Sequence, residues 1–378
     1  MKPIQVTEPY LPPFEEYIEY LKGIWERNWL TNQGPLTKEL EQKLQVYHQL
    51  SMPVHCVANG SLGLQIALKA LGVKGEVITT PFSYVATTAC PLWEGCTVKF
   101  ADIDPDTLTI DPKAVETAIT SKTEAILATH VFGNPCDCEA LETIAKKYGF
   151  ALIFDAAHAF GVTYSGKSVL EYGDASMVSL HATKLFHSVE GGFIVAKDAA
   201  VSEKMEWMRR FAHNGPEAFH GVGINAKLSE FHAAMGLCNL NHIDEILAKR
   251  KTICEAYDQA LFSGQPSAAV SCEASGEARM IPPLSSIRYR EGASRNFAYY
   301  PILFQSEREL LDAVVRLESK GIVPRRYFYP ALDQIDELGL FDCGASISLD
   351  FADRILCLPL ADSIEANDLS RIIEALQN

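Results

Sequence analysis

The chain has 378 residues, is 48% hydrophobic and 21% charged, and carries a formal net charge of −15 at pH 7. That composition suits a globular protein of two domains, and its acidic balance argues against a nucleic-acid partner, because such binding rests on basic patches. The first residues lack an apolar core of signal-peptide length and no stretch approaches about 18 uninterrupted apolar residues, so no membrane span, a cytoplasmic location and reduced thiols at the ten scattered cysteines are expected.

In chain order, Asn59-Gly60-Ser61 opens a helix whose apolar face is Leu64, Leu68 and Leu71. Free backbone N–H groups and the positive end of the helix dipole make such a start an anion site, although a serine before a helix also reads as an ordinary N-cap. From about residue 50 to 200, short apolar runs alternate with amphipathic segments. Strands are expected at 76–80, 98–101, 125–129, 151–154 and 193–195, with helical crossovers such as the one carrying Leu141, Ile144 and Ala145. The fold class is therefore α/β with a mostly parallel sheet. Tyr84 follows the 76–80 strand, where its ring can lie against a flat ligand or simply fill the rim. Cys136-Asp137-Cys138 lacks the second pair or histidine cluster of a zinc site and reads as a turn; no metal is expected. A charged helix over 241–261 marks a boundary between a large domain, 1–240, and a smaller α/β domain, 241–378. Within the latter, 263–286 reads as irregular from its Gly, Ser and Pro content, 297–304 as a strand and 307–320 as a helix.

Two residues carry the chemistry. Asp155 directly follows four apolar residues, at the carboxyl end of its strand, where ligands gather in such sheets. An unpaired carboxylate there is costly, so it needs a cation, unless it serves as a helix cap. Lys184 lies downstream in Ser179-Leu180-His181-Ala182-Thr183-Lys184, ahead of Glu190-Gly191-Gly192. Its apolar and hydroxylated setting lowers an amine's pKa toward nucleophilic reactivity. A lysine that forms a Schiff base and an aspartate that keeps a pyridine nitrogen protonated are what pyridoxal phosphate chemistry requires. A dinucleotide-binding oxidoreductase is disfavoured, since no Gly-x-Gly-x-x-Gly follows a strand.

With these motifs in place the chain resembles, over nearly its whole length, the DegT/StrS family of sugar aminotransferases, pyridoxal phosphate enzymes of fold type I, with a seven-stranded-type sheet in the large domain. The resemblance implies Lys184 as Schiff-base lysine and general base, Asp155 as partner of the ring nitrogen and Tyr84 as the stacked aromatic. It implies Gly60, Ser61 and Ser179 as phosphate ligands, and His158 beside the ring oxygen, where relatives commonly have glutamine and where the tautomer is open. Asn225, in Gly223-Ile224-Asn225-Ala226-Lys227, matches a residue that reaches the neighbouring subunit's phosphate, which implies a homodimer; Lys227 stands where many relatives have arginine. Glu190, Arg325, Arg326 and Tyr329 match positions near a nucleotide sugar. Dehydrating relatives carry histidine in place of the lysine, so Lys184 implies transamination from L-glutamate. The segments 7–13 and 29–35 are most similar to the branch acting on dTDP-4-keto-6-deoxyglucose, in cell-surface polysaccharide (O-antigen) synthesis. Another nucleotide-linked 3- or 4-keto sugar, or a dehydratase or regulator of the same fold, is the alternative.

Overall fold

The computed structural model describes residues 3–262, 284–340 and 344–377. Seven strands form one sheet, in the order His55–Val57, Gly192–Ala196, Ala175–Ser179, Ala151–Asp155, Thr123–Thr129, Glu76–Thr79 and Thr97–Phe100. The last five run parallel to one another, and Gly192–Ala196 is antiparallel to both of the strands beside it. The mostly parallel sheet expected from the sequence is thus present. Two of its strands gave no clear signal: His55–Val57 is only three residues long, and Ala175–Ser179 has a Ser/Ala-rich sequence that occupies a buried position.

Helices cover the sheet because each presents an apolar face. Leu64 and Leu68 of the Gly60–Ala70 helix, and Leu141, Ile144 and Ala145 of the Cys138–Tyr148 helix, are buried. Asp137 caps the latter helix by accepting from the Ala140 N–H, and Cys136 and Cys138 are buried free thiols. Among the described residues every cysteine is free, and no helix is long and apolar enough to cross a membrane.

The helix Ile243–Phe262 leads to a three-stranded antiparallel sheet of Leu284–Ser286, Tyr300–Phe304 and Ile355–Leu358, with helix Glu307–Ser319 against it. The expected irregular segment lies outside the described residues up to 283, and its last three residues are strand instead, paired with Tyr300–Phe304. The strand expected at 297–304 begins only at Tyr300. Before it, Phe297 has a left-handed backbone and the Asn296 side chain accepts the Ala298 N–H, so this stretch cannot join the ladder. The first strand, Ile4–Gln5, pairs in parallel with Ile322–Val323, just after the helix Glu307–Ser319. A shared apolar cluster containing Phe82, Phe132, Tyr299, Phe328 and Ile355 joins the large sheet's carboxyl edge to the smaller sheet.

Candidate active site

Asp155 is the last residue of its strand and is 3% exposed. Its carboxylate accepts one backbone N–H, from Ala157 at 2.9 Å. Burial raises its proton affinity above the ordinary carboxylate value, and Ala157 and the charge of Lys184 pull it partly back. Lys184 is half-buried in the turn after Ala175–Ser179, its backbone N–H bonded to the His181 carbonyl. Burial lowers the pKa of its amine, Asp155 and Tyr84 raise it, and Arg325 lowers it further. The structure therefore gathers Asp155, Lys184, Tyr84 and Arg325 into one electrostatic neighbourhood.

The Gly60–Ala70 helix starts beside them. Asn59, not Ser61, is its cap, accepting the Leu62 N–H at 2.9 Å. Ser61 is exposed in the first turn, with its hydroxyl unused for capping. A Cβ on Gly60 would stand 2.9 Å from Met177 Sδ and 3.4 Å from Ser179 Cβ, so Ser179 closes against this helix start. Gly192 serves the same approach from the sheet side: a Cβ there would meet the Gly60 nitrogen at 3.0 Å. Gly60, Ser61 and Ser179 thus line one small cradle, and backbone N–H groups at a helix start suit an anion.

The geometry closes the question of the His158 tautomer. Its Nδ1 accepts the Phe132 N–H at 3.2 Å, so Nε2 carries the proton, and burial holds the ring well below the usual histidine pKa, with the charge of Lys184 adding to the effect. The ring is packed between Phe132, Phe328 and Tyr299, with centroids 6.3, 5.6 and 4.4 Å away. Asn296 went unnoticed in the sequence, where it merely precedes an apolar run. It is buried and donates to the carbonyls of His158 at 2.8 Å and Phe160 at 3.0 Å, pinning the segment that carries the histidine.

The remaining residues separate. Tyr84 is 55% exposed. Glu190 is exposed, 3.6 Å from His181 Nε2. Arg325 is exposed with its guanidinium over the Tyr327 ring, 4.7 Å from the centroid. The Arg326 guanidinium is already engaged by Glu307, by the carbonyls of Ala352 and Asp353, and by the ring of Tyr329, so a substrate contact there would compete with this network. Asn225 is exposed, its carboxamide oxygen accepting from Lys227, while the next residue's carbonyl takes the Ala58 N–H just ahead of the Asn59 cap.

These residues fit pyridoxal phosphate. A buried carboxylate with a single N–H donor lacks the counter-charge that a protonated ring nitrogen supplies, and the Gly60 cradle has no room for a side chain but suits a phosphate. A lysine and a buried aspartate at the carboxyl edge of a mostly parallel sheet, with an anion cradle beside them, define a pyridoxal-phosphate enzyme of the transaminase type. The family model described as DegT/DnrJ/EryC1/StrS aminotransferase matches residues 14–377, and the chain belongs to that family. It is 39% identical, over 100% of its length and 99% of the relative's, to a dTDP-4-amino-4,6-dideoxy-D-glucose transaminase of Shigella dysenteriae. A protein of the same description from Escherichia coli is 35% identical over 99% of this chain and 98% of its own. Among solved structures, DesI in the presence of its TDP-sugar product superposes with a TM-score of 0.89 at 30% identity, covering 100% of this chain and 93% of that one.

Proposed function

We propose that this enzyme moves the amino group of L-glutamate to dTDP-4-keto-6-deoxy-D-glucose, giving dTDP-4-amino-4,6-dideoxyglucose for cell-surface polysaccharide (O-antigen) synthesis in the cytoplasm. The observation that carries the reading is the Lys184–Asp155 site in a chain similar, end to end, to two transaminases of that product.

Bound in this site, the cofactor supplies a carbon that exchanges amines and a ring that accepts electrons from the carbon losing its proton. Asp155 supplies the anion that keeps a ring nitrogen protonated, and its burial makes that pairing strong. His158 presents Nε2–H as a neutral donor to a ring oxygen. Backbone N–H groups at Gly60 and Ser61, with the Ser61 and Ser179 hydroxyls, hold the phosphate. Tyr84 would lay its exposed ring against the flat cofactor. Lys184 Nζ would take the proton from the donor's α-carbon and, in the second half-reaction, deliver a proton to the sugar carbon that receives nitrogen. Its lowered pKa favours the neutral, proton-accepting form.

The working unit in this reading is a homodimer in which Asn225 reaches the partner's phosphate. In support, Asn225 stands in an exposed segment with Phe211, Phe219, Val222 and Ile224, apolar side chains left open on a single chain. Glu190 and Tyr329 are assigned to the nucleotide-sugar side. A large domain of 1–240 and a small one of 241–378 remain the proposed division.

The test is spectroscopic. L-glutamate alone should convert the visible band of the loaded enzyme to that of the pyridoxamine form, and the keto sugar nucleotide should restore it. A band that L-glutamate leaves unchanged removes the donor; restoration by a UDP- or GDP-linked ketone but not the dTDP-linked one removes the acceptor.

A further inference from the structure

Lys184 is carried on a loop from Leu180 to Gly191 that three backbone hydrogen bonds close. The Leu180 N–H donates to the Gly191 carbonyl at 2.9 Å, the Ser188 N–H to Leu180 at 2.9 Å and the Ala182 N–H to Val189 at 2.7 Å. The last of these lies nearest to Lys184 and requires Val189 to stay in the left-handed region, at φ 69°. A β-branched residue keeps that conformation only where its surroundings force it.

His187 supplies the force. Its ring is buried, Nδ1 accepts the Val189 N–H at 3.2 Å, and the Nε2–H donates to the Tyr10 carbonyl at 2.8 Å, so two backbone groups fix the tautomer. Asn239, buried in the helix Glu230–Asn241, donates to the His187 carbonyl at 2.9 Å. Burial lowers the pKa of the ring, against the pull of the Tyr10 carbonyl, which leaves Nδ1 an acceptor at neutral pH. The segment before Tyr10 is anchored in turn: the Val6 carbonyl takes the Leu360 N–H at 3.0 Å and the Glu8 carboxylate takes the Ser363 hydroxyl at 2.6 Å.

We propose that His187 is a positioning residue for Lys184, clamping Val189 in its left-handed turn against the fixed Tyr10 segment and so setting where the amine stands. The inference rests on the reading of Lys184 as the reacting amine. On the far side of Lys184 the chain is held by packing, with Leu185 buried and the Phe186 ring stacked on Phe160 at 4.3 Å. On the near side, the Ala182–Val189 bond ties one arm of the loop to the other. Without the imidazole, Val189 returns to extended backbone, its carbonyl turns away from Ala182, and the arm leading into Lys184 loosens. A glycine at this position would hold the same φ with no clamp, because it lacks the Cβ that makes the conformation costly. The valine therefore makes the loop dependent on the histidine.

The experiment follows Lys184 by two readouts. Protein stripped of cofactor is mixed with pyridoxal phosphate and the rate at which the visible band of the lysine-bound cofactor forms is recorded; L-glutamate then drives the first half-reaction in stopped flow, with rates expressed per loaded site. His187→Phe keeps the volume and removes both hydrogen bonds, and it should slow both processes roughly tenfold to a hundredfold, the scale of a small misplacement of a reacting group. Half-saturation by L-glutamate should stay within about twofold, because no donor contact is lost. His187→Asn retains an acceptor near the Nδ1 position and should stay within about threefold of wild type, whereas His187→Gln extends its amide toward Tyr10 and should be as slow as His187→Phe. In a Val189→Gly background, adding His187→Phe should cost less than about threefold.

A merely structural role would lower the unfolding midpoint of the variants and leave the rates per loaded site unchanged, which overturns the proposal. Equal cost of His187→Phe with valine or glycine at 189 overturns it too, as does a Gln variant at least as fast as the Asn one; the Asn and Gln variants decide alone if His187→Phe does not fold. Failure of the transamination reading shows separately, as a wild-type band that forms but that L-glutamate never converts, and the rates of band formation still decide the role of His187.

Discussion

Asp155→Asn tests whether the site is built around an absent cation. The side chain is 3% exposed, ends a central strand and accepts one backbone N–H. Burial raises its folded-state pKa above the ordinary value of 3.8. A carboxyl with a raised folded pKa supports folding below its unfolded pKa, and that support is lost as pH rises through the folded value. At neutral pH, where the unfolded carboxyl is ionised, burying this carboxyl in protein stripped of cofactor therefore opposes folding. Asparagine is nearly isosteric, keeps an acceptor for Ala157 and carries no charge, so the stripped variant should be more stable than wild type by about 1–3 kcal/mol, the scale of an under-compensated buried polar group. The gain should shrink toward acid pH, where Asp155 is protonated. Loading the cofactor should reverse the order, since a protonated ring nitrogen pairs with the carboxylate and not with the amide. Urea denaturation of stripped and loaded protein between pH 4 and 8, a range that starts just above the ordinary carboxyl value of 3.8, measures both. A stripped variant less stable than wild type, or a gain that does not vary with pH, refutes the argument.

Lys184→Ala should abolish turnover while leaving the circular dichroism spectrum intact; retention of even about a tenth of the wild-type rate without added amine removes Lys184 from the chemistry. Gly60→Val should weaken cofactor binding at least about tenfold, since its Cβ falls 2.9 Å from Met177 Sδ, and fluorescence titration that finds unchanged affinity places the phosphate elsewhere. Glu230 is fully buried and its carboxylate accepts from the backbone N–H groups of Leu36 and Thr37 and from the Thr37 hydroxyl. Glu230→Ala should cost about 3 kcal/mol or more by opening the start of the Pro35–Tyr47 helix, and a loss below about 1 kcal/mol in denaturant titration shows that the carboxylate does not hold that turn.

The parts of this protein that were legible in its sequence are those set by local chemistry. Apolar runs followed by turn residues gave the strands Glu76–Thr79, Thr123–Thr129 and Ala151–Asp155, because backbone pairing and burial of such runs act within a few residues. A carboxylate after a buried strand and a lysine among hydroxyls marked the candidate pair for the same reason. The tertiary structure alone decided what depends on residues far apart in the chain. The capping role fell to Asn59 and not Ser61 because Gly60 must pack against Met177 and Ser179 of another strand. The tautomer of His158 follows from a backbone N–H of Phe132, and its segment is tied down by Asn296, which is 138 residues away. Arg325 and Arg326 are identical and adjacent in sequence. Extended backbone sends neighbouring side chains to opposite faces, so one meets Glu307 and Asp353 while the other lies over the Tyr327 ring.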